Sequence, residues 1–198
     1  MAPPSSAATA RRPRRFKLLT CIAIFFLGVI VVVGLTILIA WLVIRPRRLV
    51  YAVENATIQN YTLTSNNRLT ATFNFTLEAF NPNTHAAVYY DAIEAQLFYD
   101  DQLIADHGAE PFFQPRQNVT HLDLSLPAKD VAVSANVARD FKVERTNGNV
   151  ELELRVYSKV RLKVGVWKSG HRKLTVICSL VVFFSSKGFD NSYCDVYM

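Results

Sequence analysis

LTATFNFTLEAF, residues 69–80, alternates without a fault. Leu69, Ala71, Phe73, Phe75, Leu77 and Ala79 fall on one side, and Thr70, Thr72, Asn74, Thr76 and Glu78 on the other. A side-chain period of two is that of a half-buried strand. The next stretch, NPNTHAAVYYD (81–91), breaks the pattern at Asn81, Pro82 and Asn83 and resumes it before Asp91. Pro82 has no amide proton and a fixed φ, so it is excluded from a central ladder. The residue before it is driven to extended geometry, and Asn side chains bond to local turn backbone. The stretch therefore reads as a corner rather than a binding site. Tyr89 and Tyr90 are expected to point one outward and one inward as a new strand begins.

Working outward, the same period dominates. Residues 92–99 and 102–105 flank Asp100-Asp101, a hairpin signal. Residues 119–126 place Leu122, Leu124 and Leu126 inward, and residues 53–63 form a strand ahead of the quoted one. The longest run is NVELELRVYSKVRLKVGVW (149–167). Val150, Leu152, Leu154, Val156, Val160, Leu162, Val164 and Val166 face one way, opposite Glu151, Glu153, Arg155, Lys159, Arg161 and Lys163. That charged side reads as a solvated outer face rather than a ligand stripe. Ser169-Gly170-His171 is expected to turn the chain into a strand over 174–184, and CDVYM (194–198) is a last short strand. Only 129–144 departs, with Val133, Val137 and Phe141 at four-residue steps, which predicts one short amphipathic helix. Many one-sided strands with a single helix make a mainly β, antiparallel sandwich.

Toward the N-terminus the chemistry changes. Residues 18–44, LLTCIAIFFLGVIVVVGLTILIAWLVI, contain no charge. As a helix they span roughly 40 Å, against a hydrocarbon core of roughly 30 Å. A cleaved signal peptide has a shorter apolar core, roughly 7–15 residues, so a retained signal anchor is expected. Residues 1–17 read as a disordered basic cytoplasmic arm, 45–50 as a basic linker and 51–198 as the folded domain. The net charge of +6 is not spread over the chain. Arg11, Arg12, Arg14, Arg15, Lys17, Arg45, Arg47 and Arg48 flank the apolar segment with no acid among them, while the folded part carries slightly more acid than base. The excess suits anionic lipid headgroups at the two flanks and gives no basic groove for nucleic acid.

Five cations before the segment against three after it put the N-terminus in the cytoplasm. Asn-x-Ser/Thr sequons at Asn55, Asn60, Asn74 and Asn118 all lie on the other side and agree. Asn74 falls on the polar face of its strand, where a glycan would reach solvent. Cys21 lies within the apolar segment. Cys178 and Cys194 are a plausible disulfide in an exported domain, closing a loop of about 16 residues, with two reduced buried thiols as the alternative. Gly28 and Gly34 do not make a GxxxG face, which leaves homo- or hetero-oligomerisation open.

No constellation for catalysis emerges. His85, His107, His121 and His171 are far apart and lack HxxxH or HExxH spacing. Two cysteines without a nearby His pair make a poor zinc site, and Asp100-Asp101 lacks the ligand ladder of a calcium loop. No phosphate loop or Gly-x-Ser-x-Gly elbow is present. No cofactor or metal is expected, and the chain reads as a non-enzyme.

In order, NPNTHAAVYYD, the Asp100-Asp101 turn, PFFQPRQNVT (111–120), KVRLKVGVWKSGHRKLTVIC (159–178) and CDVYM resemble the plant harpin-induced-like family. That family is also called non-race-specific disease resistance-like (NHL), and it carries a late-embryogenesis-abundant group 2 (LEA-2) domain. The resemblance covers roughly residues 40–198. Where the family has a Gly-His-Lys-like segment, this chain has Phe113-Gln114-Pro115-Arg116-Gln117. No hydrophobic tail follows, so a GPI-type anchor is not expected. The resemblance implies an immunoglobulin- or fibronectin-III-like sandwich anchored in a plant plasma membrane, with the endoplasmic reticulum and plasmodesmata as alternatives. It also implies a part in pathogen and stress responses. The expected function is non-enzymatic: the sandwich meets a protein or cell-wall partner. A lipid-binding or membrane-contact module with an apolar groove is the alternative. Direct stress protection ranks last, because disordered protectants are hydrophilic and this domain is apolar and patterned.

Overall fold

The computed structural model describes residues 14–44, 47–183 and 192–198; Arg11, Arg12 and Arg45, with most of the expected arm and part of the linker, lie outside them. The chain divides into two compact units, Met1–Arg45 and Pro46–Met198. In the first, helix α1 runs Arg14–Ile44. It begins four residues ahead of the apolar run. Arg and Lys are good helix formers, so the helix propagates through Arg14, Arg15 and Lys17. Within it Leu19–Ile39 has a mean hydropathy of 3.1 and is long and apolar enough to cross a membrane.

The second unit is an antiparallel sandwich. Its elements are β1 (Val50–Leu63), β2 (Arg68–Asn81), β3 (Ala86–Tyr99), β4 (Gln102–Ala109), β5 (Phe112–Gln114), β6 (Asn118–Ala132), helix α2 (Ala135–Asn147), β7 (Asn149–Val164), β8 (Trp167–Lys168), β9 (Arg172–Phe183), β10 (Ser192–Tyr193) and β11 (Asp195–Tyr197). One sheet has the order β10-β1-β2-β6. The other has β11-β9-β7-β3-β4, with β5 added to β3 and β8 to β7. We call them the first and second sheets.

The quoted strand behaves as its alternation dictates: its six inward apolar residues are buried, Phe73 completely, while Phe80 on the other side is half-buried. They meet Leu97, Leu154, Val156, Val176 and Leu180 from the second sheet in one core. The Asp100-Asp101 turn joins β3 to β4 with both residues at positive φ, 47° and 57°, as a two-residue type I′ hairpin requires. Helix α2 starts later than its periodicity suggested, because β6 continues to Ala132. The Ser134 side chain caps it by accepting from the Val137 amide, and Gly148 closes it at φ 90°. Phe141 of α2 then stacks on Tyr61 and meets Tyr99 edge-on.

Three local expectations need correction. The linker ends sooner than residue 50: Leu49 is already in the core, because it adjoins the first inward positions of β1. Val166 is fully exposed rather than inward. Gly165, at φ 59°, starts a two-residue turn that returns the chain so that Trp167 pairs with Val164 and Lys168 with Lys163. The reversal expected at 169–171 therefore comes four residues earlier. Third, the C-terminal stretch serves both sheets: β10 pairs with β1 and β11 with β9, and between them Cys194 is bonded to Cys178.

Candidate functional site: the corner, its basic aromatic neighbourhood and the charged outer faces

Asn81 and Asn83 are buried, and every polar atom of both side chains is engaged. Asn81 Nδ2 donates to the carbonyls of Ala86 and Pro115, both at 2.9 Å. Its Oδ1 accepts from the Asn83 amide and from Asn83 Nδ2, at 3.1 and 3.0 Å. Asn83 Nδ2 also donates to the Arg47 carbonyl at 2.9 Å, while its Oδ1 accepts from the Arg47 amide at 2.7 Å. Buried polar groups are stable only when paired in this way. The Asn-Pro-Asn corner thus clamps the start of the sandwich's own chain and keeps no polar side-chain atom in reserve for a ligand.

A second polar cluster sits beside it. Gln114 is completely buried; its Nε2 donates to the Ala79 and Asn118 carbonyls and its Oε1 accepts from the Tyr90 hydroxyl. The Tyr51 hydroxyl completes the chain by hydrogen-bonding to Tyr90. Burial pushes both phenols up, Tyr90 to about 12 and Tyr51 further, so both stay neutral donors. Sequence reading singled out the segment 113–117 as a departure without assigning Gln114 this bond.

On the outer face of the second sheet the neighbouring residues are different in kind. Tyr89 packs on Phe113 with ring centroids 4.6 Å apart, because β5 pairs with β3 and sets the two rings opposite each other. Three cations converge on this pair: Lys168 Nζ lies 4.8 Å from the Tyr89 centroid, Arg161 Cζ 5.7 Å, and Lys163 Nζ 6.0 Å from both rings. Cations over an aromatic face are attracted by its quadrupole. Arg161 is also held by Asp91, whose carboxylate accepts from its Nε at 2.7 Å. The Arg161 hydrogen bond keeps the Asp91 carboxyl below its usual range. His171 approaches the same carboxylate at 3.5 Å. Beside the rings, Arg116, His85, Lys163 and Gly165 border a surface hollow of about 290 Å³.

Charge is graded along this face. Glu151 and Glu153 stand near one end of β7, where they border a hollow of about 430 Å³ with Asp100 and Asp101. Lys159, Arg161 and Lys163 stand toward the other. A third hollow, about 580 Å³, opens where the chain enters the sandwich, between Arg47, Arg48 and Leu49 on one side and Val196, Tyr197 and Met198 on the other.

The sequons occupy the opposite sheet. Asn55 and Asn60 are on β1, Asn74 on β2 and Asn118 on β6. Asn55, Asn60 and Asn118 are exposed, and Asn74 is half-buried between neighbouring strands. Asn60 takes a positive φ of 52° where the β1–β2 register shifts. On that same sheet, strand pairing sets His121 opposite Glu78, and Glu54 comes within 3.2 Å of His121. These three side chains could offer ligand atoms to a cation, all within 4.8 Å of one another. A hydrogen bond that the protonated Glu78 carboxyl donates to Glu54 raises Glu78 above its usual range. No spacing in the sequence announces this trio, since it exists only through the register of three strands.

Comparison with known proteins gives a concordant result. The family model for late embryogenesis abundant protein, LEA_2, matches residues 76–179. The uncharacterized protein At1g08160 of Arabidopsis thaliana is 31% identical over 91% of this chain and 84% of its own length. NDR1/HIN1-like protein 10 of the same plant is 30% identical over 77% of this chain and 68% of its own. NDR1/HIN1-like protein 3 is 30% identical over 84% and 75%.

Proposed function

Because the chain belongs to the LEA_2 family, alongside the NDR1/HIN1-like proteins, we propose that it is a non-enzymatic, single-pass membrane protein of the plant cell surface. It presents its sandwich to a protein or cell-wall partner in pathogen-defence and stress responses. Supporting the anchor, α1 contains an uncharged segment of spanning length with cations at both flanks in the sequence. The observation that carries the presentation is the partition of the two outer faces. All four sequons lie on the first sheet, so glycans there leave the outer face of the second sheet bare for contact.

The test is made on the full chain in plant cells. Endoglycosidase digestion is expected to increase mobility, with stepwise loss of the shift as Asn55, Asn60, Asn74 and Asn118 are each changed to Gln. Protease added outside intact cells is expected to remove the sandwich. An unshifted band together with a sandwich spared from outside and digested from the cytosol would overturn the reading.

A further inference from the structure

The end of the sandwich where the chain enters carries an unusual combination of side chains. Val166 is 102% exposed and Trp167 62%, at the tip of the β7–β8 hairpin. A solvent-facing Val–Trp tip has no role in packing, yet it is built on a fixed turn. Around it stand Lys163, Lys168, Arg116 and His85, and Asp91, the acid nearest this group in the ring cluster, is already bonded to Arg161. Strand pairing places this tip next to the chain entry. Trp167 pairs with Val164, Val164 with Ala86, and the corner just before Ala86 is bonded to Arg47. Val50 and Val119, both partnered with Phe80, add further exposed apolar surface at the same end. The acidic hollow of Asp100, Asp101, Glu151 and Glu153 lies at the other end of β7.

We propose that this entry end, led by Val166 and Trp167, seats on an anionic lipid surface. The deduction rests on the anchoring half of the reading above. Three features select lipid over other partners. Indole and a bare aliphatic side chain together suit the boundary between headgroups and acyl chains. Lysines and arginines around them complement anionic headgroups, and the acidic end is carried away from the surface. Chain length supplies the third: Ile44 and Arg47 are three residues apart, which limits Arg47 to within roughly 11 Å of the end of the apolar helix. So short a connection would make the entry end the part of the sandwich able to reach the bilayer.

The chain has only two tryptophans, Trp41 at the end of the apolar segment and Trp167 at the tip, and each can report separately. The full chain is reconstituted into vesicles of brominated phosphatidylcholine, with and without one-third phosphatidylserine, as Trp41→Phe and Trp167→Phe variants. In Trp41→Phe, the Trp167 emission is expected to be quenched about twofold by brominated chains when phosphatidylserine is present, and less without it. Quenching should fall in high salt, on changing Lys163, Lys168 and Arg116 to Gln, and on changing the fully exposed Val166 to Ser. Trp167 left open to an aqueous quencher while Trp41 is quenched by lipid would overturn the seating and leave the anchor standing. Trp41 unquenched would remove the anchor itself. Protection of Trp167 by polygalacturonate but not by any vesicle would assign the tip to an acidic polysaccharide and overturn the lipid assignment.

Discussion

Asn83 bonds both backbone polar groups of Arg47, a residue 36 positions earlier, with one side-chain amide. A carboxamide matches a backbone peptide in this pairing, donor to acceptor and acceptor to donor. The corner is thereby a fastening for the segment that leads into β1.

Changing Asn83 to Ala removes three hydrogen bonds, worth roughly 0.5–1.5 kcal/mol each, so a loss of about 2–4 kcal/mol in unfolding free energy is expected by denaturant titration. Trypsin should also cut after Arg47 and Arg48 about tenfold faster, because local opening of that segment becomes easier. Unchanged cleavage there would mean that the bonds do not restrain the segment.

The two buried phenols should respond unequally to loss of their hydroxyls. Tyr90→Phe orphans both the Tyr51 donor and Gln114 Oε1 and is expected to cost about 1–3 kcal/mol. Tyr51→Phe leaves the Tyr90 donation to Gln114 intact and should cost about 0.5–1.5 kcal/mol. Alkaline titration followed by phenolate absorbance checks the same pair. Because burial raises both pKa values, folding favours the neutral phenols, and that share of stability is lost as pH rises above the unfolded value near 10 and through about 12 for Tyr90.

Two carboxylates on opposite sheets should act with opposite sign. Asp91 is lowered by the Arg161 hydrogen bond, so its contribution is present above the unfolded value near 4 and disappears as pH falls through the folded one. Asp91→Asn should lower the melting temperature at neutral pH, with the difference from wild type vanishing in acid. Glu78 is raised by the hydrogen bond to Glu54, so its contribution is present in acid and is lost as pH rises through its folded value. Glu78→Gln should show its stabilising effect at neutral pH and not at pH 3. Thermal melts across pH separate the two.

Removing the Cys178–Cys194 link frees a closed loop of 16 residues and, with it, the short strands on either side of Cys194. Cys178→Ala with Cys194→Ala should cost about 3 kcal/mol on the chain-entropy estimate. Hydrogen exchange should rise at the β9 amides that face β11 and at the β1 edge that β10 covers.

Much of this architecture is written in local pattern. The period of β2, the Asp100-Asp101 hairpin and the inward leucines of β6 each follow from side-chain type and spacing, because burial on one face demands alternation. The end of β7 misled for the same reason. Val164 and Val166 keep the period, and only the left-handed Gly165 between them reveals that the strand has already reversed. The Tyr89–Phe113 pair and the Glu54, Glu78 and His121 trio depend on which strands become neighbours. Residues 24 positions apart or more carry no local sign of meeting. The Asn-Pro-Asn stretch was legible as a corner, yet its hold on Arg47 was not, since a turn motif does not say what else its amides will reach.

The fastening of Arg47 also fixes how the sandwich would bear a load. Tension arriving from the N-terminal side is delivered at the corner and along the axis of β1, whose ladder with β2 extends from Val50 to Leu63. Force applied along a strand strains its rungs together in shear, whereas force applied across it would unzip them one at a time. A partner gripping the far end of the body would thus pull against the whole ladder at once. Within the sandwich, the strand that takes such a pull is therefore the one best placed to resist it.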